Sequence, residues 1–264
     1  MKRIISALHF EWKGMNECIG RAVDEFGLDG VECSWADIYE RPHCTDADLD
    51  ELTSIGALRD LTLSAHIWEN PAQDDVSKVQ QNLLGWLRLC EKTCTTDLVV
   101  HGGTFPDQRA GLANVRRMLE CVLPEFERKG VVLNLENHYA YDYHDGNELL
   151  SEPWEFKEIF SLDSPSLGFC FDTGHGNMTK NSEALIRELA PWLRYIHMAD
   201  NQGTDDDHDM FRKGTVEWDR VFSLLQEIGF DGIFCVEFPV YEDQAPFRQC
   251  MKEIQDRWNG AGGE

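Results

Sequence analysis

The stretch GVVLNLENH, residues 130–138, holds the plan of the whole chain in one pass. A glycine closes the helical run 108–129, an apolar β-branched strand follows, and that strand ends on Glu136. Glycine in this place supplies the left-handed cap of a helix-to-strand connection. A strand apolar on both faces belongs to a buried parallel sheet. The pattern repeats outward in both directions, with Gly27 and Gly229 each following a helical run and preceding a strand. Strands are expected at 4–10, 30–35, 62–67, 98–103, 131–137, 167–173, 194–200 and 232–238. Helices are expected near 15–27, 46–59, 74–94, 108–129, 153–161, 182–190, 217–228 and 242–258. Thr45 ahead of 46–49 and Pro153 at the head of the fifth helix are start signals. Eight such units without a linker or composition break predict an α/β protein, a single (β/α)8 TIM barrel over 1–258, rather than a doubly wound open sheet. The ending NGAGGE, 259–264, reads as a flexible C-terminal tail.

Length and composition agree with this plan. The chain has 264 residues, 42% hydrophobic and 27% charged, enough for one sizeable core. Its 48 Asp and Glu against 24 Lys and Arg give a net charge of −24, which weighs against a partner reached through phosphate charge, nucleic acid above all. The opening MKRIISALHFEWKG is interrupted by His9 and Glu11 and lacks a small-residue cleavage pattern, so no signal peptide is expected. No run approaches the ~20 apolar residues of a membrane span. Nine cysteines without any C-x-x-C fit reduced thiols and a cytoplasmic location.

Polar residues at the ends of buried strands need a reason. Here they stand at almost every strand: His9, Glu32, His66, His101, Glu136, Asp172 with His175, His197 and Glu237. A barrel gathers the C-terminal ends of its strands at one face, so these side chains are expected to converge. Singly, each reads equally as a hydrogen-bonded structural group. Together, several carboxylates and imidazoles would repel and lose solvation unless a cation held them. Mixed oxygen and nitrogen ligands suit Mn²⁺, Zn²⁺, Co²⁺ or Fe²⁺ better than Ca²⁺.

In order along the chain, VVLNLENH, GFCFDTGH, YIHMADN and VEFP resemble the metal-site motifs of the xylose isomerase-like TIM-barrel superfamily, and DDDHDMFRKGTVEW resembles its loop after the seventh strand. The superfamily includes sugar and sugar-phosphate isomerases and epimerases, inosose dehydratases and endonuclease IV. The resemblance implies that Glu136, Asp172, His197 and Glu237 bind one divalent metal, Mn²⁺ foremost, and that His175 hydrogen-bonds the substrate. His66, His101, His175, Asp206 and His208 match the positions with which endonuclease IV holds further metals. The histidines at these places also occur in the sugar-acting branch, where they would contact substrate, so Asp206 and His208 stand as additional metal ligands only under the first reading. Arg212 departs from the usual loop, where a glycine commonly stands. It is either a solvated loop charge or a guanidinium that meets an anionic part of the substrate.

What the resemblance implies is a metal-dependent isomerase or epimerase of a keto-sugar or sugar phosphate, working by proton abstraction through a metal-bound enediolate, with Glu136 and Glu237 as the acid/base pair. An inosose-type dehydratase shares that chemistry up to the expulsion of a hydroxyl. A phosphodiesterase like endonuclease IV would instead need a basic mouth, and Arg41, Arg109, Lys180, Arg212 and Lys213 are dispersed among acids such as Asp142, Asp205 and Asp207. A barrel that only binds sugars would be expected to have lost one of the four metal positions. The expected partner is a small sugar, with no nucleic acid and no membrane, and the resemblance is compatible with a homo-oligomer. Trp12, Trp35, Trp68, Phe105 and Phe238 offer either walls for a sugar ring or core packing.

Overall fold

Gly130 caps its helix at φ 68° and sends Val131 directly into a strand, as its place in the sequence requires. Gly27 and Gly229 turn the same way, at φ 70° and 69°. The computed structural model describes residues 1–9, 14–35, 50, 51, 53–55, 61–241 and 243–260, and within them these turns feed a closed parallel barrel of eight strands in sequence order. The strands are β1 (Lys2–Ser6), β2 (Gly30–Trp35), β3 (Thr62–Ile67), β4 (Asp97–His101), β5 (Val132–Glu136), β6 (Leu167–Asp172), β7 (Leu193–Met198) and β8 (Ile233–Val236). Closure is made by β8 against β1, with Ile4 opposite Cys235. Some strand starts are so close that only glycine fits. A Cβ on Gly30 would lie 1.8 Å from the Thr62 carbonyl oxygen.

The outer layer comprises α1 (Met15–Ile19, continued by a π-helical turn Gly20–Glu25), α2 (Val76–Thr93), α3 (Gln108–Lys129), α4 (Pro153–Phe160), α5 (Thr173–Thr179), α6 (Ser182–Glu188), α7 (Trp218–Glu227) and α8 (Ala245–Gly260). On α2 the buried side chains are Val79, Leu83, Leu87 and Cys90, spaced to form one apolar stripe against the sheet. Asp75 and Asp107 open α2 and α3 by accepting the backbone N–H groups of Lys78 and Ala110. Inside the barrel, Ile4, Val99, Cys170, Tyr195 and Cys235 fill the layer below the mouth.

The expected strands run one to four residues too long at several C-terminal ends. The first gives way to a 3-10 turn, Ala7–His9, and the eighth stops at Val236. One helix was not expected: α5 starts directly at Asp172, whose side chain caps it by accepting the His175 N–H. The expected helix 46–59 with its Thr45 signal falls largely outside the described residues, as do 261–264 of the expected tail, whereas Asn259 belongs to α8. Among the described residues no helix is long and apolar enough to cross a membrane.

Candidate metal centre and its cavity

Four neighbouring strands bring their ends together at one point of the mouth. Glu136 and Asp172 are the last residues of β5 and β6, His197 the penultimate of β7, and Glu237 follows β8 directly. Register pairs Asp172 with His197 and His101 with Glu136, so each of these imidazoles stands beside an acid on a neighbouring strand. Donor atoms of Glu136, Asp172, His197 and Glu237 all lie within 4.8 Å of one another, and all four side chains are buried. His197 Nδ1 sits 3.1 Å from Glu136 Oε2 and 3.3 Å from Glu237 Oε2.

The ring of His197 is held from its other side. Nε2 lies 2.9 Å from Glu32 Oε2, and that same oxygen accepts the Tyr195 hydroxyl at 2.8 Å. Ser64 Oγ meets Tyr195 in turn, at 2.7 Å. With Nε2 held at Glu32, the ring turns Nδ1 toward two carboxylate oxygens, where a neutral imidazole would offer its lone pair to a cation. His197 Nδ1 and Glu136 Oε2 accordingly have no hydrogen-bond partner among the described residues. Buried lone pairs that converge in this way are costly unless a cation accepts them. The donor set, three carboxylates and one imidazole with an oriented second side, fits a divalent transition metal.

Electrostatics separate the two glutamates. Burial raises Glu237 to about 8, with Glu32 and Glu136 adding to the rise against the pull of His197. Glu136 is held well below the usual carboxylate range by His197 and His101, which overcome the opposing effect of burial. Burial also raises Asp172, against the pull of His175.

Around this group lie the remaining expected residues. His66 Nε2 and His101 Nε2 each approach Glu136 Oε2 to 3.4 Å, so His66, His101 and Glu136 form a second cluster of donor atoms that shares Glu136. His175 places Nδ1 2.8 Å from the Asn137 carbonyl and Nε2 3.3 Å from Asp206. His208 places Nδ1 2.8 Å from the Glu237 carbonyl and Nε2 3.3 Å from the same Asp206 oxygen. Both rings thus face acceptors through both nitrogens. Asp206 together with Glu237 raises His208 to about 10, against burial. The ring of His9 stacks near that of His208, with centroids 5.0 Å apart.

Arg212 does not join this group. Its guanidinium reaches Asp219 at 3.3 Å and Glu253 at 3.7 Å, toward α7 and α8. Its φ of 63° explains why glycine suits the position. Arg109 is likewise engaged, by Glu158 at 2.8 Å and the Trp154 ring. Arg41, Trp12 and the side chain of Trp35 lie outside the described residues. Phe238 is core, packed on Phe247, whereas Trp68 borders the mouth.

The sequence reading gave no role to His138, Tyr195 or Ser64, and Glu32 only the general one of a strand-end acid. His138 follows Glu136 by two positions, is buried, stacks on His175 with centroids 4.5 Å apart, and leaves Nδ1 without a hydrogen-bond partner among the described residues. Its place as the last residue of VVLNLENH was the available signal. The loop 139–151 is pinned beside it. Leu149 N donates to Gly103, Phe105 N to Asn147, and the Tyr143 hydroxyl to Thr204.

With this geometry in view, comparison with known proteins is informative. The model of the xylose isomerase-like TIM barrel family matches residues 21–257. The chain belongs to that family. An uncharacterized protein of Methanocaldococcus jannaschii is 28% identical over 165 residues, 59% of this chain and 55% of the relative. A ketose 3-epimerase of Arthrobacter globiformis is 27% identical over 128 residues, 48% of this chain and 42% of the relative. The chain thus spans about half the length of the curated relatives it matches. Among solved structures, a D-tagatose 3-epimerase-like protein superposes with a TM-score of 0.82 at 22% identity, covering 100% of both chains. An L-ribulose 3-epimerase superposes with a TM-score of 0.80 at 16% identity, covering 98% of this chain and 95% of its own. These two likenesses speak for the shared barrel.

Proposed function

We propose that this protein is a divalent-metal-dependent epimerase or isomerase of a keto-sugar. The observation that carries the reading is the placement of His197 Nδ1 between the Oε2 atoms of Glu136 and Glu237, at 3.1 and 3.3 Å. The match to a ketose 3-epimerase over half the chain supports it. Glu136, Asp172, His197 and Glu237 would hold the metal. When bound, a divalent cation supplies Lewis acidity toward the carbonyl and hydroxyl oxygens of a sugar.

The chain's own residues supply the rest. Glu136 and Glu237 come from strands separated by β6 and β7, so they can approach a carbon from different sides. One removes the proton from the carbon beside the carbonyl and the other returns a proton to the opposite face, which inverts that carbon. Return to the adjacent carbon instead exchanges aldose and ketose. His175 and His208, whose Nε2 atoms both lie 3.3 Å from Asp206, stand beside the metal group and would contact the substrate there.

Solvent-deuterium incorporation tests this directly. The metal-supplemented protein, incubated in D₂O with a panel of ketoses, free or glycosylated at a hydroxyl other than the anomeric one, is expected to introduce deuterium at a carbon next to the carbonyl, read by NMR. Protein that carries stoichiometric Mn²⁺ or Co²⁺ and exchanges no carbon-bound proton on any of them would overturn the reading.

A further inference from the structure

A cavity of about 730 Å³ opens beside the metal centre on the β3, β4 and β5 side of the mouth. It is continuous with the centre through His101, whose Nε2 is 3.4 Å from Glu136. Its size falls in the upper part of the ~300–1,000 Å³ range of clefts that enclose drug-sized ligands, which is more room than one ketose ring uses.

The lining has a definite chemistry. Trp68, Trp86 and Tyr139 present aromatic surface, the kind of wall on which the C–H face of a sugar ring packs. Glu69 is held in place by Asn82 Nδ2 at 3.1 Å and Trp86 Nε1 at 3.4 Å. Glu148 is half-buried, has no cationic partner among the described residues, and burial raises its carboxyl. Glu69, Glu148 and Asp206, the last paired with His175 and His208, line the cavity together with Lys78, the single Lys or Arg among the described lining residues. His138 adds a buried Nδ1 with no partner of its own. A phosphate or carboxylate would meet repulsion here and find no guanidinium to receive it. Arg212, the residue that suggested an anionic substrate, is committed to Asp219 and Glu253.

We infer that the site acts on an uncharged, extended carbohydrate, a keto-sugar carrying a second sugar ring or similar neutral group that fills this cavity, and that it discriminates against sugar phosphates. The inference rests on the reading of the metal centre as that of a keto-sugar epimerase.

The metal-loaded protein can be presented with matched ketoses, the same ketoses glycosylated away from the anomeric carbon, and their phosphate esters, with D-fructose, lactulose and D-fructose 6-phosphate in the set. Deuterium exchange gives kcat/KM, and tryptophan fluorescence gives Kd independently of turnover. The neutral glycosides are expected to exceed both the free ketoses and the phosphates by about tenfold or more, a difference of about 1.4 kcal/mol. Trp86→Ala should lower the glycoside-to-ketose ratio by a similar factor. Glu148→Arg, on the half-exposed rim, should raise turnover of the phosphate esters instead, and it serves if Trp86→Ala does not fold. A parent protein that favours phosphate esters, or that treats glycosides and free ketoses alike, overturns the inference. Tight binding of glycosides without exchange supports what the cavity accepts and strikes the epimerase reading alone.

Discussion

His197 and Glu32 meet across the barrel interior, Nε2 to Oε2 at 2.9 Å, although β7 and β2 are not neighbours in the sheet. Both are fully buried, and Tyr195 and Ser64 extend the contact into a chain of hydrogen bonds below the metal centre. Glu32 thereby orients the His197 ring so that Nδ1 faces Glu136 and Glu237. Outer partners of this kind typically change metal affinity by about 10- to 100-fold. Glu32→Gln, nearly isosteric, is expected to weaken Mn²⁺ or Co²⁺ binding within that range while far-UV circular dichroism stays as in the parent. Competition with a fluorescent chelator measures it, and unchanged affinity would remove Glu32 from this role.

Metal binding should be visible as stability. A ligand at 100 times its Kd that binds only the folded state contributes about 2.7 kcal/mol. For a domain of this size that is a rise in Tm of roughly 5–10 °C on adding metal to chelator-treated protein. The stoichiometry is expected to be about one equivalent, as the four-residue group implies. About three equivalents, drawing on His66, His101 and Asp206, would point to the phosphodiester chemistry of the endonuclease IV branch.

Replacing either glutamate of the pair should separate chemistry from folding. Glu136→Gln and Glu237→Gln keep the volume of the side chain but lose the proton-carrying carboxylate. General acid–base groups contribute about 10²–10⁴-fold, so each variant should lose deuterium exchange by at least that range on a confirmed substrate. Glu237→Gln with metal still bound and near-parent exchange would remove Glu237 from proton transfer.

Asp200 organises the loop that carries Asp206 and His208. Its carboxylate accepts Asn201 N at 2.9 Å, Val216 N at 3.0 Å and Trp218 Nε1 at 2.8 Å, all buried. Asp200→Ala strands these donors, each costing about 1–3 kcal/mol. A loss of at least about 2 kcal/mol is expected in urea denaturation, whereas a change below 0.5 kcal/mol, about the size of an ordinary surface substitution, would contradict this account.

The fold was legible because its signals are local. The glycines at 27, 130 and 229 mark the phase of the repeat, and apolar strands between helical runs identify a parallel sheet. Helix α5 was not legible, because TGHGNMT has two glycines and no apolar stripe. It is opened by a local cap, Asp172 accepting the His175 N–H three residues on, but Asp172 drew notice as a candidate metal ligand and not as a helix start. The strand ends of Glu136, Asp172, His197 and Glu237 could be read as convergent, but which nitrogen of His197 faces Glu136 and Glu237 depends on Glu32, 165 positions away, and on the depth of both in the barrel. For Arg212 the sequence left two readings open. The pairing with Asp219 and Glu253 depends on where α7 and α8 pack, which no local pattern encodes.

The four residues of the metal centre all descend from the second half of the chain, β5 to β8, whereas Trp68, Glu69 and Trp86 of the cavity wall belong to the first. The two tryptophans of the wall and the four clustered donors thus come from different halves of the polypeptide, while Tyr139, Glu148 and Asp206 of the second half complete the lining. Grafting the first half of a related barrel onto the second half of this one would replace Trp68, Glu69 and Trp86 while keeping Glu136, Asp172, His197 and Glu237, provided Glu32 or an equivalent comes with the graft to hold His197.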